Sequence, residues 1–107
     1  MTLNAETHIN NREAAVRLLK AMANEHRLDI LCALRDGEAS VSELCERLAL
    51  HQTTGNSLSQ SALSQHLALL RHEHLVICRR DAQSMRYSLN GDRAIHVISL
   101  LNRLYAS

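Results

Sequence analysis

Residues 59–89 read SQSALSQHLALLRHEHLVICRRDAQSMRYSL, and their pattern decides the fold. Leu63, Leu67 and Leu70 recur at i, i+4 and i+7, the spacing of one buried stripe on an α-helix. Ser61, Ser64, Gln65, Ala68 and His72 fall on the other faces. The start of this helix therefore presents short, uncharged hydroxyl and amide side chains to solvent. Such groups suit the DNA major groove, where they hydrogen-bond base edges or phosphates. Behind the helix, residues 75–80 and 84–89 read as two strands joined through Asp81-Ala82-Gln83, with arginines at the tip.

Working outward, Asn10 or Asn11 is placed to cap a first helix that runs to about Asn24, with Ala15, Leu18, Leu19 and Met22 on its apolar face. A second helix spans about His26 to Arg35 and stops at Asp36-Gly37. Ser40 or Ser42 caps a third, and Ser40 with Glu43 fits a reciprocal capping box. HQTTGNSL, residues 51–58, reads as a loop. Ser59 caps the helix from Gln60 to His72. In the hairpin Met85, Tyr87 and Leu89 share a face. After Asn90-Gly91-Asp92 a last helix carries Ile95, Ile98, Leu101, Leu104 and Tyr105 on one stripe. The order is four helices, hairpin, helix. That order predicts a mainly α, winged helix-turn-helix domain over residues 1–107, with about five helices and a two-stranded wing. The first and last helices carry more apolar residues than so small a core needs, which points to a homodimer joined through them.

The bulk numbers agree. With 107 residues and 46% hydrophobic content, the chain suits one modest domain. Two Tyr and no Phe, Trp or Pro leave a core of aliphatic side chains on uninterrupted helices. Net charge is +1, but its distribution matters more. Residues 1–58 sum to −2, residues 59–90 to +2 and residues 91–107 to +1. No apolar run approaches the ~18–20 residues that span a bilayer. The first residues lack the pattern of a secretion signal, so no membrane partner and a cytoplasmic location are expected.

The segments LLKAMANEHRLDILCAL (18–34), VSELCERL (41–48), SQSALSQHLALLR (59–71), HLVICRRDAQSMRYSL (74–89) and the ending LLNRLY together resemble the ArsR family of bacterial winged-helix repressors. The likeness covers most of the chain. It is greatest to the branch that senses persulfide, reactive sulfur or thiol oxidation. It implies a repressor bound as a homodimer to double-stranded DNA at an inverted-repeat operator, two recognition helices lying about one turn apart. It implies that Gln60, Ser61, Ser64, Gln65 and His66 face the major groove. Arg79, Arg80, Gln83 and Arg86 would set the wing on the backbone or in the minor groove. Phosphate contacts of that kind make affinity salt-dependent.

Three departures from the pattern stand out. The connection before the recognition helix is about seven residues longer than the usual 3–4. His74 stands where the family has glycine, a position suited to left-handed backbone. Ala106 stands where the sulfur-responsive branch has its second sensing cysteine.

Of the three cysteines, Cys32 and Cys78 read as packing residues. Cys45 matches the first sensor position, as the site of derepression by a thiol-reactive signal. With Ala106 the branch's cysteine-to-cysteine bridge cannot form, although Cys45 alone remains open to oxidation or persulfidation. A metal- or metalloid-responsive repressor is the alternative, drawing on Cys45 with His51 or on Asp92 and His96. No CxC or CxxC occurs, so no metal ligand set is assigned and no cofactor is expected. Nothing places a base against a thiol as a cysteine enzyme requires, so the chain is read as a non-enzyme. A protein-interaction domain without DNA contact is the remaining class, and salt-dependent operator binding separates the two.

Overall fold

A computed structural model describes residues 10–51 and 58–106. In chain order these form α1 (Arg12–Met22), α2 (Glu25–Leu34), β1 (Ala39–Ser40), α3 (Val41–His51), α4 (Gln60–His72), β2 (Val76–Asp81), β3 (Ser84–Leu89) and α5 (Arg93–Tyr105). The winged helix-turn-helix expectation holds. The wing gains a short third strand, because β1 pairs with β3 to give the antiparallel order β1-β3-β2. Two residues carry no periodicity of their own, so β1 left no mark in the sequence pattern.

The helix starts follow local capping chemistry. The Asn11 side chain accepts from the Ala14 amide at 3.2 Å, Asn24 from Arg27 at 3.1 Å and Ser59 from Ala62 at 3.1 Å. Each satisfies an amide that the first turn leaves without a helical partner. The capping box at α3 is complete. The Glu43 amide donates to Ser40 Oγ at 3.2 Å, and the Ser40 amide donates to Glu43 Oε1 at 3.1 Å. Because Asn24 caps α2, α1 stops two residues earlier than its apolar pattern suggests.

The core gathers Ile30, Leu31, Leu44, Leu63, Leu67, Leu70, Leu75 and Val76, all essentially solvent-free. The three leucines of the quoted stretch thus hold α4 against α2, α3 and β2. On α1 the buried residues are Ala21 and Met22, whereas Leu19 is 58% exposed. The face expected for α1 holds at Met22, which is buried, and at Leu18, which packs half-buried against the core; it is corrected at Leu19. In the hairpin, Tyr87 and Leu89 pack against the core, opposite Cys78 and Val76. Met85 shares their face but lies beyond the core edge and is exposed.

The end of α4 closes in a Schellman motif. The Leu75 amide donates to the Leu70 carbonyl at 2.9 Å, and the His74 amide donates to Arg71 at 3.0 Å. Leu70 and Leu75 are both buried, the apolar contact that accompanies this cap. The motif needs a left-handed residue, and His74 takes it with φ of 61°. Asn90 and Arg93 donate to the His74 carbonyl at 2.9 and 3.0 Å. These bonds tie the turn to the start of α5 and hold a conformation that glycine would adopt without strain.

Candidate nucleic-acid interface

Burying Leu63, Leu67 and Leu70 turns the opposite side of α4 outward. Gln60, Ser61, Ser64 and Gln65 are all exposed there. The helix start carries no acidic residue in its first turn. Its unpaired amides and aligned peptide dipoles therefore present partial positive charge next to this polar face. His66 is placed differently. It is half-buried, with its ring 5.6 Å from the His26 ring of α2 at a 39° tilt. It sits on the flank of α4 that meets α2, apart from the exposed face of the other four.

The wing arginines divide in the same way. Arg79 and Arg86 are direct cross-strand partners, an arrangement that repels unless an anion lies between them. Glu38 supplies it. Arg79 donates from Nε and Nη2 to the two Glu38 oxygens at 2.8 Å each, and Arg86 Nε donates to Glu38 Oε1 at 3.0 Å. Arg86 Nη1 also reaches Glu43 Oε1 at 2.8 Å. Arg86 therefore pins the central strand to the first turn of α3 through a carboxylate already engaged in the capping box. Glu38 is held below the usual carboxylate range, first by its bond from Arg79 and also by Arg86. Glu43 is held low by the Ser40 amide first and by Arg86 next. Arg80 and Gln83 are exposed at the hairpin tip, and Arg80 makes no ion pair among the described residues.

Two further arginines set the frame that carries α4. Arg47 donates to the carbonyls of Ala33, Gly37 and Glu38 at 3.2, 2.7 and 3.1 Å, fastening the α2–β1 turn to α3. Gly37 makes that turn with φ of 120°. Arg17 on α1 forms a two-point pair with Glu73 at the end of α4, at 3.0 Å each. Neither Glu38 nor Glu73 was singled out from sequence. Their partners lie 41 and 56 residues away, a separation with no local signature.

Cys45 is half-buried on α3, on the wall of a cleft of ≈ 330 Å³. Cys32, expected as packing, is also half-buried and lines the same cleft. Burial pushes its thiol pKa up. Cys78 is half-buried on β2. Among the described residues no three His, Cys, Asp or Glu side chains gather to hold a metal ion. The side chain of His51 lies outside the described residues, and so does most of the loop before α4. His96 and Asp92 form an exposed i,i+4 pair at 3.1 Å.

A helix-turn-helix domain family matches residues 22–79. The chain is 50% identical over 103 residues to the transcriptional activator HlyU of Vibrio cholerae, covering 96% of this chain and 88% of that protein. This chain belongs to the ArsR family of winged helix-turn-helix transcription regulators. The solved structure of that HlyU superposes with a TM-score of 0.77 at 51% identity, covering 94% of this chain and all of that one. The ArsR chain is also 41% identical over 103 residues to the nodulation protein NolR of Rhizobium meliloti, covering 96% of this chain and 77% of that protein. The transcriptional repressor BigR from Xylella fastidiosa matches with a TM-score of 0.82 at 27% identity, covering 98% and 99% of the two chains. No described helix is long and apolar enough to cross a membrane.

His66 carries a pH consequence. Partial burial first, then the charges of Arg27 and His26, lower its pKa from 6.5. The folded state therefore takes up this proton less readily than the unfolded chain. Stability is full above pH 6.5 and falls as pH drops through 6.5 toward the lowered folded value. The carboxylates of Glu38, Glu43 and Glu73 are shifted below 4.5 and titrate outside this window. A His66→Gln protein is expected to lose less stability than the parent between about pH 7 and pH 5.5. Urea midpoints at the two pH values measure this, and an undiminished loss in the variant contradicts it.

Proposed function

We propose that this ArsR-family chain is a homodimeric repressor that occupies an inverted-repeat operator in double-stranded DNA. The observation that carries the reading is the two-sided α4: leucines buried on one side, Gln60, Ser61, Ser64 and Gln65 exposed on the other. In the dimer these four side chains meet base edges in the major groove, and His66 borders them from the flank. Arg80 and Gln83 reach the backbone or minor groove from the wing tip. Arg79 contacts phosphate through the part of its guanidinium left free by Glu38. Arg86 acts mainly by holding the wing against α3.

The homodimer reading is supported by apolar side chains that no described residue covers. Val16 and Leu19 on α1 are 40% and 58% exposed, and Leu104 and Tyr105 on α5 are 63% and 80% exposed. Joining the two helices of each copy across a twofold axis removes that surface from water. Release from DNA follows a thiol-reactive signal, persulfide or oxidant, at Cys45. This reading is favoured by the access the cleft gives to that thiol.

Selection from random DNA by the reduced protein tests the DNA-binding reading. The expected product is an inverted repeat with half-site centres about 10–10.5 base pairs apart or a multiple of that spacing, bound by two copies of the chain in sedimentation. Direct repeats, or no enrichment over random DNA, would overturn it.

A further inference from the structure

We propose that the Arg17–Glu73 ion pair fixes the angle between the dimer helix α1 and the reading helix α4, and so decides which half-site spacing the dimer accepts. This rests on the operator-binding homodimer above and adds to it a specificity determinant that touches neither base nor phosphate. Gln60, Ser61, Ser64 and Gln65 lie in the first two turns of α4, whereas Glu73 is its C-cap. A carboxylate there faces the negative end of the helix dipole. Arg71 and His72, in the last turn, are the residue types that suit the place. Glu73 thus works against its own helix, a local conflict of the kind met where a residue serves something beyond its element.

What it serves is α1. Arg17 donates from Nε to Glu73 Oε2 and from Nη2 to Glu73 Oε1, at 3.0 Å each. Among the described residues this is the one ion pair that joins α1 to another element. The C-terminal end of α1 is held separately. Ala21 and Met22 are buried, and Arg27 donates to the Ala21 and Lys20 carbonyls at 2.6 and 3.3 Å. Upstream of that end only Ala15 and Leu18 are half-buried, and the rest of α1 is exposed. Apolar contact is non-directional, so it leaves the direction of the rod open. A two-point guanidinium–carboxylate pair adds the missing geometry.

The pair also lies between the partner and the DNA. Val16 and Leu19, which the homodimer reading gives to the second copy, lie about 100° and 160° around the helix from Arg17. One side of α1 therefore meets α4 and another meets the partner. The second dimer helix is tied to the same place, because Asn90 and Arg93, at the start of α5, donate to the His74 carbonyl. With Arg17 62% exposed, the pair adds little to the stability of the fold. Its effect is preorganisation. Lengthening the spacing of an inverted repeat by one base pair moves a half-site by about 3.4 Å and turns it by about 34°. A dimer with fixed reading helices then forfeits base contacts on one side. A dimer whose α1 can tilt follows the displaced half-site.

The test compares the full-length parent with Arg17→Ala, Glu73→Gln and the double variant. Each is titrated onto duplexes carrying the inverted repeat selected by the parent, at its own spacing and at one base pair shorter and longer. Selection from random DNA is repeated with each variant. The parent should lose roughly 5–150-fold on the altered spacings, the range of a forfeited base contact. In the variants most of that penalty should be lost, with weaker binding at the parent spacing. The half-site bases selected and the urea midpoint should stay as in the parent. The double variant should be no more tolerant than either single one, because the same pair is broken in all three. Undiminished spacing discrimination in both single variants overturns the proposal. So does a changed half-site preference, or an equal loss on every duplex with a lowered urea midpoint, since either makes the pair a brace of the fold alone. If the parent selects no inverted repeat, the operator reading itself fails and this inference falls with it.

Discussion

Leu67→Ala is expected to lower the unfolding free energy by about 2–5 kcal/mol, the cost of a truncated leucine in a packed interior. Leu67 is solvent-free and lies between Leu63 and Leu70 on the buried stripe of α4. Removing its branched end forfeits the transfer of the lost carbons and leaves a cavity that a close-packed core fills only in part. In a domain this small that is a large part of the total stability. The control lies on the same helix. Leu69 is 39% exposed, and Leu69→Ala is expected to stay within about 0.5 kcal/mol as a surface change. Urea unfolding followed by circular dichroism checks both. Similar midpoint shifts for the two variants would mean that α4 is not seated by this stripe.

Ser64→Ala with Gln65→Ala is expected to erase preference for the operator while leaving general DNA affinity in place. Both residues are exposed on α4, and alanine is the best helix former, so the fold is unaffected. A glutamine that pairs with an adenine edge contributes about 1–3 kcal/mol of discrimination, which is roughly 5- to 150-fold in affinity for the selected site. Phosphate contacts from Arg80 and the α4 amides act on any sequence, so binding to random DNA should change little. The slope of log affinity against log salt should hold as well. Titrations on operator and random duplexes at several salt concentrations separate these terms. A loss of equal size on both duplexes would remove Ser64 and Gln65 from the base-reading role.

Much of the fold is legible in the sequence. The helix starts at Asn11, Ser40 and Ser59 were all marked by residues whose side chains bond an amide three positions on. The strand Ser84–Leu89 was marked by its alternation. The left-handed turn at His74 was foreseen from family likeness. The misreadings have a common source. Leu19 fits the periodicity of α1 yet faces solvent, because periodicity names an apolar face without naming what covers it. Cys32 sits in an apolar run, and the same run hid the fact that its side chain opens on a cleft. The lining of that cleft comes from α2, α3 and α4 together, which only the folded chain brings around one space.

What the sequence by itself determined was what neighbours within a turn or a strand govern: caps, helical stripes and the presence of the hairpin, whose register, with Asp81 opposite Ser84, came from the structure. These depend on bonds between residues three or four apart and on the two-residue alternation of strands, which any reading of the chain can count. Only the tertiary structure decided the rest. It joined Glu38 to Arg79 and Arg86, and Glu43 to Arg86, across more than forty residues. It turned His66 toward His26 and placed Cys32 and Cys45 on the wall of one cleft. Side chains that distant meet only after the leucines have packed, so their pairing leaves no period in the chain to read.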